Sequence, residues 1–308
     1  MNIIVFGAGG VGLYFAAVSA RAGHRVTLVG RESTVAAATV GPLVLTQGDS
    51  VVEIPGITVV SEVPEEPADL VIVAVKAWQV TEAARALRPA VGPTTVILPL
   101  QNGVEAAGEL VTALGPRGVL GCSCVVIAKR TAPWAVTCLG PDAALEIGPA
   151  TEDFGLALDG ALAALTESGV AVTVSEDIQA TLWRKFMLIS SYGGIGALSR
   201  QPVGLTSTTP QTHGLVRAAM AEVLAVARAR GVRLGEADVD RMMKVFEGFS
   251  PDTTSSMQRD LLAGQPSELE FQNGAVVRFG REAGVATPIH WCVYASQLPG
   301  ELAARKET

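Results

Sequence analysis

The stretch Ile3 to Ala17, IIVFGAGGVGLYFAA, decides how the first half of the chain is read. Apolar, β-favouring residues stop abruptly at Gly7, and from Val11 the pattern turns helical, so a short buried strand runs into a glycine turn and then a helix. Gly7, Gly9 and Gly12 stand in G-x-G-x-x-G spacing. In that context the first glycine permits the tight turn, the second lets a diphosphate approach the backbone, and the third lets helix pack on strand. Gly7, Ala8, Gly9, Gly10, Val11 and Gly12 then surround the positive end of a helix, a dinucleotide-binding arrangement. The competing reading is a glycine-rich turn that holds no ligand.

Working outward, Ile3 to Phe6, Arg25 to Val29, Leu70 to Val75 and Thr95 to Leu98 read as parallel strands. Helices over Val11 to Ala22, after Arg31 and over Trp78 to Leu87 separate them, the pattern of an α/β doubly wound sheet. Gly and Pro punctuation in Leu43 to Val60 predicts short antiparallel strands inserted before the sheet resumes. Residues 117–148 read as further strands and 152–168 as a helix. At the end of the second strand, where an acid usually meets the ribose hydroxyls of NAD, the chain reads LVGRE. Arg31 in that place pairs with the 2′-phosphate of NADP, so NADP is the expected cofactor; the alternative gives Glu32 the NAD role. Lys76 and Asn102 each follow an apolar strand, on the side of the sheet where ligands of such folds bind.

With 308 residues, 49% hydrophobic and 17% charged, the chain has ample material for a core and a length typical of two domains. A net charge of −7 is the wrong sign for displacing counterions from nucleic acid, so no nucleic-acid partner is expected. Cys122, Cys124, Cys138 and Cys292 fit a reducing compartment; the first two fall on one face of a strand and read as core thiols, not metal ligands. The opening MNIIVFGAGG lacks the basic start of a signal peptide, and no apolar run reaches about 20 residues, so a cytoplasmic protein without a membrane partner is expected.

From about Ser175 the alternation gives way to helical periodicity. The expected division is a Rossmann-type NADP-binding domain over 1–175 and an all-helical substrate and catalytic domain over 176–308, with the functional cleft between them. Helices are expected near 176–192, 213–230, 236–248, 254–263, 268–283 and 289–304. In LWRKFML, Lys185 stands in an apolar segment, where an ammonium polarises a carbonyl and donates a proton, or simply reaches solvent with its head. In PSELE, Ser267 and Glu270 have capping-box spacing, which leaves Glu268 without a capping duty and, on spacing alone, at the surface.

These segments together resemble the ketopantoate reductase family, also called 2-dehydropantoate 2-reductases, over nearly the whole chain. GAGGVG with Arg31, KAWQV from Lys76, QNG from Gln101, WRKF around Lys185, SSMQRD from Ser255, SELE, and Asn273 with Gly274 carry the resemblance. It implies NADPH-dependent reduction of a small 2-oxo acid to a 2-hydroxy acid, with ketopantoate as first candidate. It further implies Lys185 as proton donor, Lys76, Asn102 and Glu268 at the cofactor, and Thr253, Ser255 and Ser256 with Lys185 at the substrate. A homodimer is the expected assembly, although no residue of the sequence carries that expectation. Where the family has substrate asparagines, this chain has Ile189, Gly193, Val203 and Thr253. That loss of amides predicts a roomier, drier pocket that favours a 2-oxo acid with an apolar side chain, unless a helix break at Gly193, Gly194 and Gly196 swings Ser190 or Ser191 into the role. The reading from another class is a non-catalytic NADP-binding regulatory protein.

Overall fold

In the computed structural model, which describes residues 1–156 and 158–306, the first strand lies at the centre of a five-stranded parallel sheet. The chain runs through β1 (Asn2–Phe6), α1 (Gly10–Arg21), β2 (Arg25–Val29), α2 (Glu32–Ala38), β3 (Leu43–Gln47), β4 (Ser50–Ile54), β5 (Thr58–Val60), β6 (Leu70–Val73), α3 (Val80–Leu87), β7 (Val96–Pro99) and α4 (Ala106–Leu114). The strand order is β5-β2-β1-β6-β7, and every pairing is parallel.

Period-two alternation explains why helices cover both faces. Ile3, Val5, Leu70, Ile72 and Leu98 point into a core shared with Leu13, Phe15 and Val18 of α1. Ile4, Val71, Val73 and Ile97 point the other way, onto Val80, Ala84 and Leu87 of α3 and Leu110 of α4. Each such fully buried side chain contributes roughly 1.5–3 kcal/mol.

The turn between β1 and α1 is fixed by backbone approach. Gly7 takes φ +113°, and a Cβ on it would sit 2.9 Å from the Ala74 carbonyl. A Cβ on Gly12 would lie 1.8 Å from the Gly7 carbonyl oxygen, so no side chain fits there. Gly10 is closed off by the strand Ala128–Ala132, since a Cβ on it would meet the Ala128 carbonyl oxygen at 2.3 Å.

β3 and β4 form the expected antiparallel hairpin, but β5 does not extend it. Gly56, at φ +82° after Pro55, turns the chain back, and β5 lies parallel to β2 at the edge of the main sheet. The following strands are β8 (Leu120–Val125), β9 (Ala128–Ala132), β10 (Ala135–Cys138) and β11 (Ala144–Pro149), of which β10 and β9 join the hairpin in the order β4-β3-β10-β9. The helix expected over 152–168 is interrupted: a single turn at Glu152–Phe154 ends at Gly155, φ +63°, and α5 occupies Asp159–Glu167. Ala157 of that stretch and Glu307 and Thr308 lie outside the described residues. β12 (Ala171–Val174), absent from the sequence reading like α4, completes a sheet β12-β11-β8. Cys122 and Cys124 are buried in β8.

Compactness divides the chain into Met1–Gln101 with Glu105–Ile178, and Asn102–Val104 with Gln179–Thr308. The second unit is helical: α6 (Ile178–Ser199), α7 (Val203–Thr208), α8 (Pro210–Ala229), α9 (Glu236–Glu247), α10 (Ser256–Leu262), a π-turn at Glu270–Gly274, α11 (Ala275–Ala283) and α12 (Pro288–Lys306). α7 was not expected, and α6 continues past 192 as an unbroken helix. Its glycines are contact points. Added Cβ atoms at Gly193, Gly194 and Gly196 would come within 2.7 Å of Ser255 Oγ, 2.6 Å of Asn273 Nδ2 and 2.5 Å of Gln258 Oε1. The propensity cost of about 1 kcal/mol per helical glycine is therefore set against close packing of α10 and the π-turn on α6.

Glu222 of α8 caps α12 from outside the helix, accepting the backbone N–H of Ile289 at 2.8 Å and of His290 at 3.1 Å, and His290 Nδ1 at 2.9 Å. Pro288 at the first helical position has no N–H to satisfy. Burial raises the Glu222 carboxyl, but these hydrogen bonds outweigh it and hold the group below its ordinary value of 4.5. A depressed folded value stabilises the protein above the ordinary one, and that contribution is lost as pH falls through it.

Two stability outcomes follow. Glu222→Gln lowers the unfolding free energy at pH 7 by about 1–3 kcal/mol and flattens its decline below pH ~4.5, read by urea denaturation across pH. Restoring an amide as Gly193→Asn collides with Ser255 and costs about 1–3 kcal/mol, whereas Ile189→Asn, at a half-buried position, costs less.

Candidate functional site

In the first unit, the glycine turn has an open side. Gly9, the N-cap of α1, is exposed, and a Cβ built on it would find no atom within 4 Å, while Gly7, Gly10 and Gly12 are all closed in by backbone. The first turn of α1 carries no acidic residue. A positive helix end with one unobstructed glycine is the cradle that a diphosphate fills, so the residues present fit a dinucleotide. Ala8 is packed against Gly30, where an added Cβ would lie 3.1 Å from the Ala8 Cβ, and this contact sets the end of β2 beside the turn. Arg31 follows as the exposed N-cap of α2, and Glu32 opens that helix, also exposed. Lys76, beyond the end of β6, holds its ammonium 5.8 Å from the centre of the Trp78 ring.

Gln101, two residues beyond the end of β7, donates its amide to the carbonyls of Val73 and Val75, at 2.9 and 2.8 Å. The segment Asn102–Val104 is counted with the helical unit. There Asn102 Nδ2 donates to Glu268 Oε2 at 3.4 Å, which joins two residues 166 positions apart that the resemblance assigns to one cofactor. Gly103, at φ +100°, passes close to the Phe271 carbonyl, and Val104 packs into the helical core. Glu268 is only 5% exposed, which overturns the surface reading that spacing alone had favoured.

The capping box is also corrected. Glu270 accepts the Tyr294 hydroxyl at 2.6 Å instead of reaching back to Ser267. Burial first and this acceptor second push the Tyr294 phenol up to about 12. Ser267 receives its carboxylate from Glu301 of α12, through backbone N–H contacts of 3.1 and 3.0 Å and a hydroxyl contact of 2.6 Å. A partner 34 positions away leaves no local signal in sequence.

α6 sets out the WRKF segment by helical geometry. Trp183 and Phe186 are buried and meet edge to face, and Trp183 also touches Phe279. Arg184 donates to Asp238 Oδ1 at 2.7 Å, and Asp238 in turn accepts the Gly235 N–H at 2.8 Å at the start of α9. Burial raises the Asp238 carboxyl, but the Gly235 N–H and Arg184 outweigh it and hold the group below its ordinary range. Lys185, between these anchored neighbours, is half-buried on the helix. Four residues on, Ile189 is half-buried on the same face.

The altered positions do not behave alike. The space vacated at Gly193 is filled by Ser255, so the expected roomier pocket is not found there. The helix is unbroken, and Ser190 and Ser191 remain buried, with the Ser190 hydroxyl donating to the Phe186 carbonyl. Val203 is a core residue, its N–H donating to the Thr253 carbonyl. Ser255 is the N-cap of α10, accepting the Gln258 N–H at 3.0 Å, while Ser256 and Thr253 are half-buried. Gln258 and Asn273 are amides that sequence reading did not assign to the site, and both lie against α6: Gln258 donates to the Gly196 carbonyl and Asn273 to the Ser190 carbonyl. Among the described residues, no group of His, Cys, Asp and Glu could hold a metal ion, and no helix is long and apolar enough to cross a membrane.

Family models match both halves of the chain: "Ketopantoate reductase PanE/ApbA" over residues 3–152 and its C-terminal counterpart over residues 177–296. A 2-dehydropantoate 2-reductase of Mycobacterium tuberculosis is 33% identical over 94% of each chain. Among solved structures, a ketopantoate reductase of this family from Ralstonia eutropha is 30% identical, with a TM-score of 0.88 over 99% of this chain and 100% of that one. A D-mandelate dehydrogenase bound to NADH and anilino(oxo)acetate shares the fold at 23% identity, with a TM-score of 0.89 over 99% of each chain. On whole-length similarity and on both halves, the chain is an oxidoreductase of the ketopantoate reductase family.

Proposed function

We propose that the protein reduces ketopantoate to pantoate with NADPH, Lys185 supplying the proton. The observation that carries the reading is the whole-length similarity to a curated 2-dehydropantoate 2-reductase. The open glycine at position 9, the guanidinium of Arg31 in place of an acid after β2, and the Asn102–Glu268 contact support it residue by residue.

When bound, the reduced nicotinamide supplies a hydride to the carbonyl carbon of the 2-oxo acid. Lys185 hydrogen-bonds the carbonyl oxygen, stabilises the negative charge that gathers there, and gives up its proton to form the hydroxyl; solvent then restores the ammonium. Glu268 and Asn102 bind and orient the cofactor's reactive end, and Ser256 and Thr253 hold the substrate. Arg31 would neutralise the 2′-phosphate, and Lys76, beyond the end of β6, would hold the cofactor on the side of the sheet where the nicotinamide lies. Ile189, half-buried one turn after Lys185, supports a second reading in which a 2-oxo acid with an apolar side chain is preferred.

NADPH oxidation across a panel of 2-oxo acids tests both readings. Turnover of ketopantoate above the others upholds the first, a higher kcat/KM for an apolar 2-oxo acid upholds the second, and cofactor binding without any turnover points to a regulatory protein. Lys185→Ala lowers kcat by about 10²–10⁴ and leaves NADPH affinity within a few-fold; an active variant would move the proton donor elsewhere. Arg31→Ala weakens NADPH by roughly tenfold or more and NADH far less, and equal binding of the two cofactors by the unaltered protein would remove the NADP assignment.

A further inference from the structure

Strand β9 crosses directly over the glycine turn. A Cβ on Gly10 would meet the Ala128 carbonyl oxygen at 2.3 Å and the Arg130 nitrogen at 3.0 Å, so the backbone of Arg130 is packed against the first residue of α1. The pairing of β9 with β10 is irregular at this point: Ala135 faces Ala132 while Val136 faces Arg130, which leaves Thr131 as an extra residue. A bulge of that kind re-aims the side chain next to it. Arg130 is solvent-exposed, yet its guanidinium is held by three carbonyls: Ala132 at 3.3 Å and Pro133 at 2.9 Å within its own hairpin, and Ala8 at 3.4 Å inside the glycine turn.

The Ala8 contact has a geometric consequence. In a trans peptide the carbonyl and the following N–H point in opposite directions, so holding the Ala8 carbonyl toward Arg130 turns the Gly9 N–H away from it. Gly9 is also the glycine with open space around it. A guanidinium, always charged and planar, suits this double duty of gripping carbonyls and adding positive charge beside an anion-binding turn.

We propose that Arg130 is a positioning residue of the dinucleotide site: it fixes the Ala8–Gly9 peptide and adds positive charge where the diphosphate is bound. The inference rests on the dinucleotide reading of the glycine turn given above.

The test compares binding of NADPH with binding of adenosine 2′-monophosphate, which carries the adenosine end without the diphosphate, in the unaltered protein, Arg130→Ala and Arg130→Gln. Titration calorimetry at two salt concentrations is the readout, with thermal unfolding to check the fold. Arg130→Ala is expected to weaken NADPH roughly tenfold to a hundredfold, to leave adenosine 2′-monophosphate within twofold, and to reduce the salt dependence of NADPH binding. Arg130→Gln, whose amide ends where the arginine Nε lies and so falls short of the Ala8 carbonyl, is expected to match Arg130→Ala. NADPH affinity within twofold of the unaltered protein in both variants, or equal weakening of both ligands, would overturn the proposal. If the unaltered protein binds adenosine 2′-monophosphate and NADPH equally, or neither, the dinucleotide reading itself fails and this inference with it.

Discussion

The contact on which the first unit depends is the approach of Gly12 to the Gly7 carbonyl. A single Cβ there would lie 1.8 Å from oxygen, so the helix α1 reaches the strand β1 only because that atom is missing. The approach fixes where α1 begins, and with it the direction of its positive end. It also lets Leu13, Phe15 and Val18 settle into the same core as Ile3 and Val5. Helix placement and anion site thus share one cause. A second approach, of β9 to Gly10, brings a strand that starts 118 residues away onto the same turn, so the turn is braced on both sides while Gly9 stays open.

The helical unit repeats this logic with side-chain amides in place of a backbone carbonyl. Along α6, three glycines accept Ser255, Asn273 and Gln258 at distances no side chain would allow. The polar groups that meet this helix therefore come from α10 and the π-turn and not from α6 itself. A chain that replaces an asparagine with Gly193 has not opened a hole; it has let another element move in. Buried amides are costly unless their hydrogen bonds are made; the carbonyls of Gly196 and Ser190 meet that requirement for Gln258 Nε2 and Asn273 Nδ2, while Asn273 Oδ1 is buried without a hydrogen-bond partner among the described residues.

What sequence revealed follows the range of the forces involved. Parallel strands, flanking helices and glycine turn were legible because periodicity and turn chemistry are local. The core strands are apolar throughout because both faces are buried. β5 was misassigned because its partner, β2, is chosen by the Gly56 turn and not by its own residues. The same limit explains the site. Lys185, Asn102 and the glycines stand in short motifs, whereas the burial of Glu268, the Glu301 cap on Ser267 and the tether from Arg184 to Asp238 need partners from 34 to 166 positions away. Glu268 looked like a surface acid because its hydrogen-bond donor belongs to a segment that leaves the sheet and folds with the helices.

Net charge also misleads if read globally. At −7 the chain as a whole repels anions, yet both the proposed cofactor and the proposed substrate are anionic. Screening resolves the conflict, because at physiological ionic strength an exposed charge is felt over about 8 Å. What matters is the set of charges within that distance of the ligand. Around the glycine turn that set includes the acid-free start of α1, Arg31 beside the Gly30–Ala8 contact with Glu32 next to it, and Arg130 on the Ala8 carbonyl, so cationic groups outnumber the one acid. Acid elsewhere discourages nonspecific binding of anionic polymers while leaving the turn locally positive.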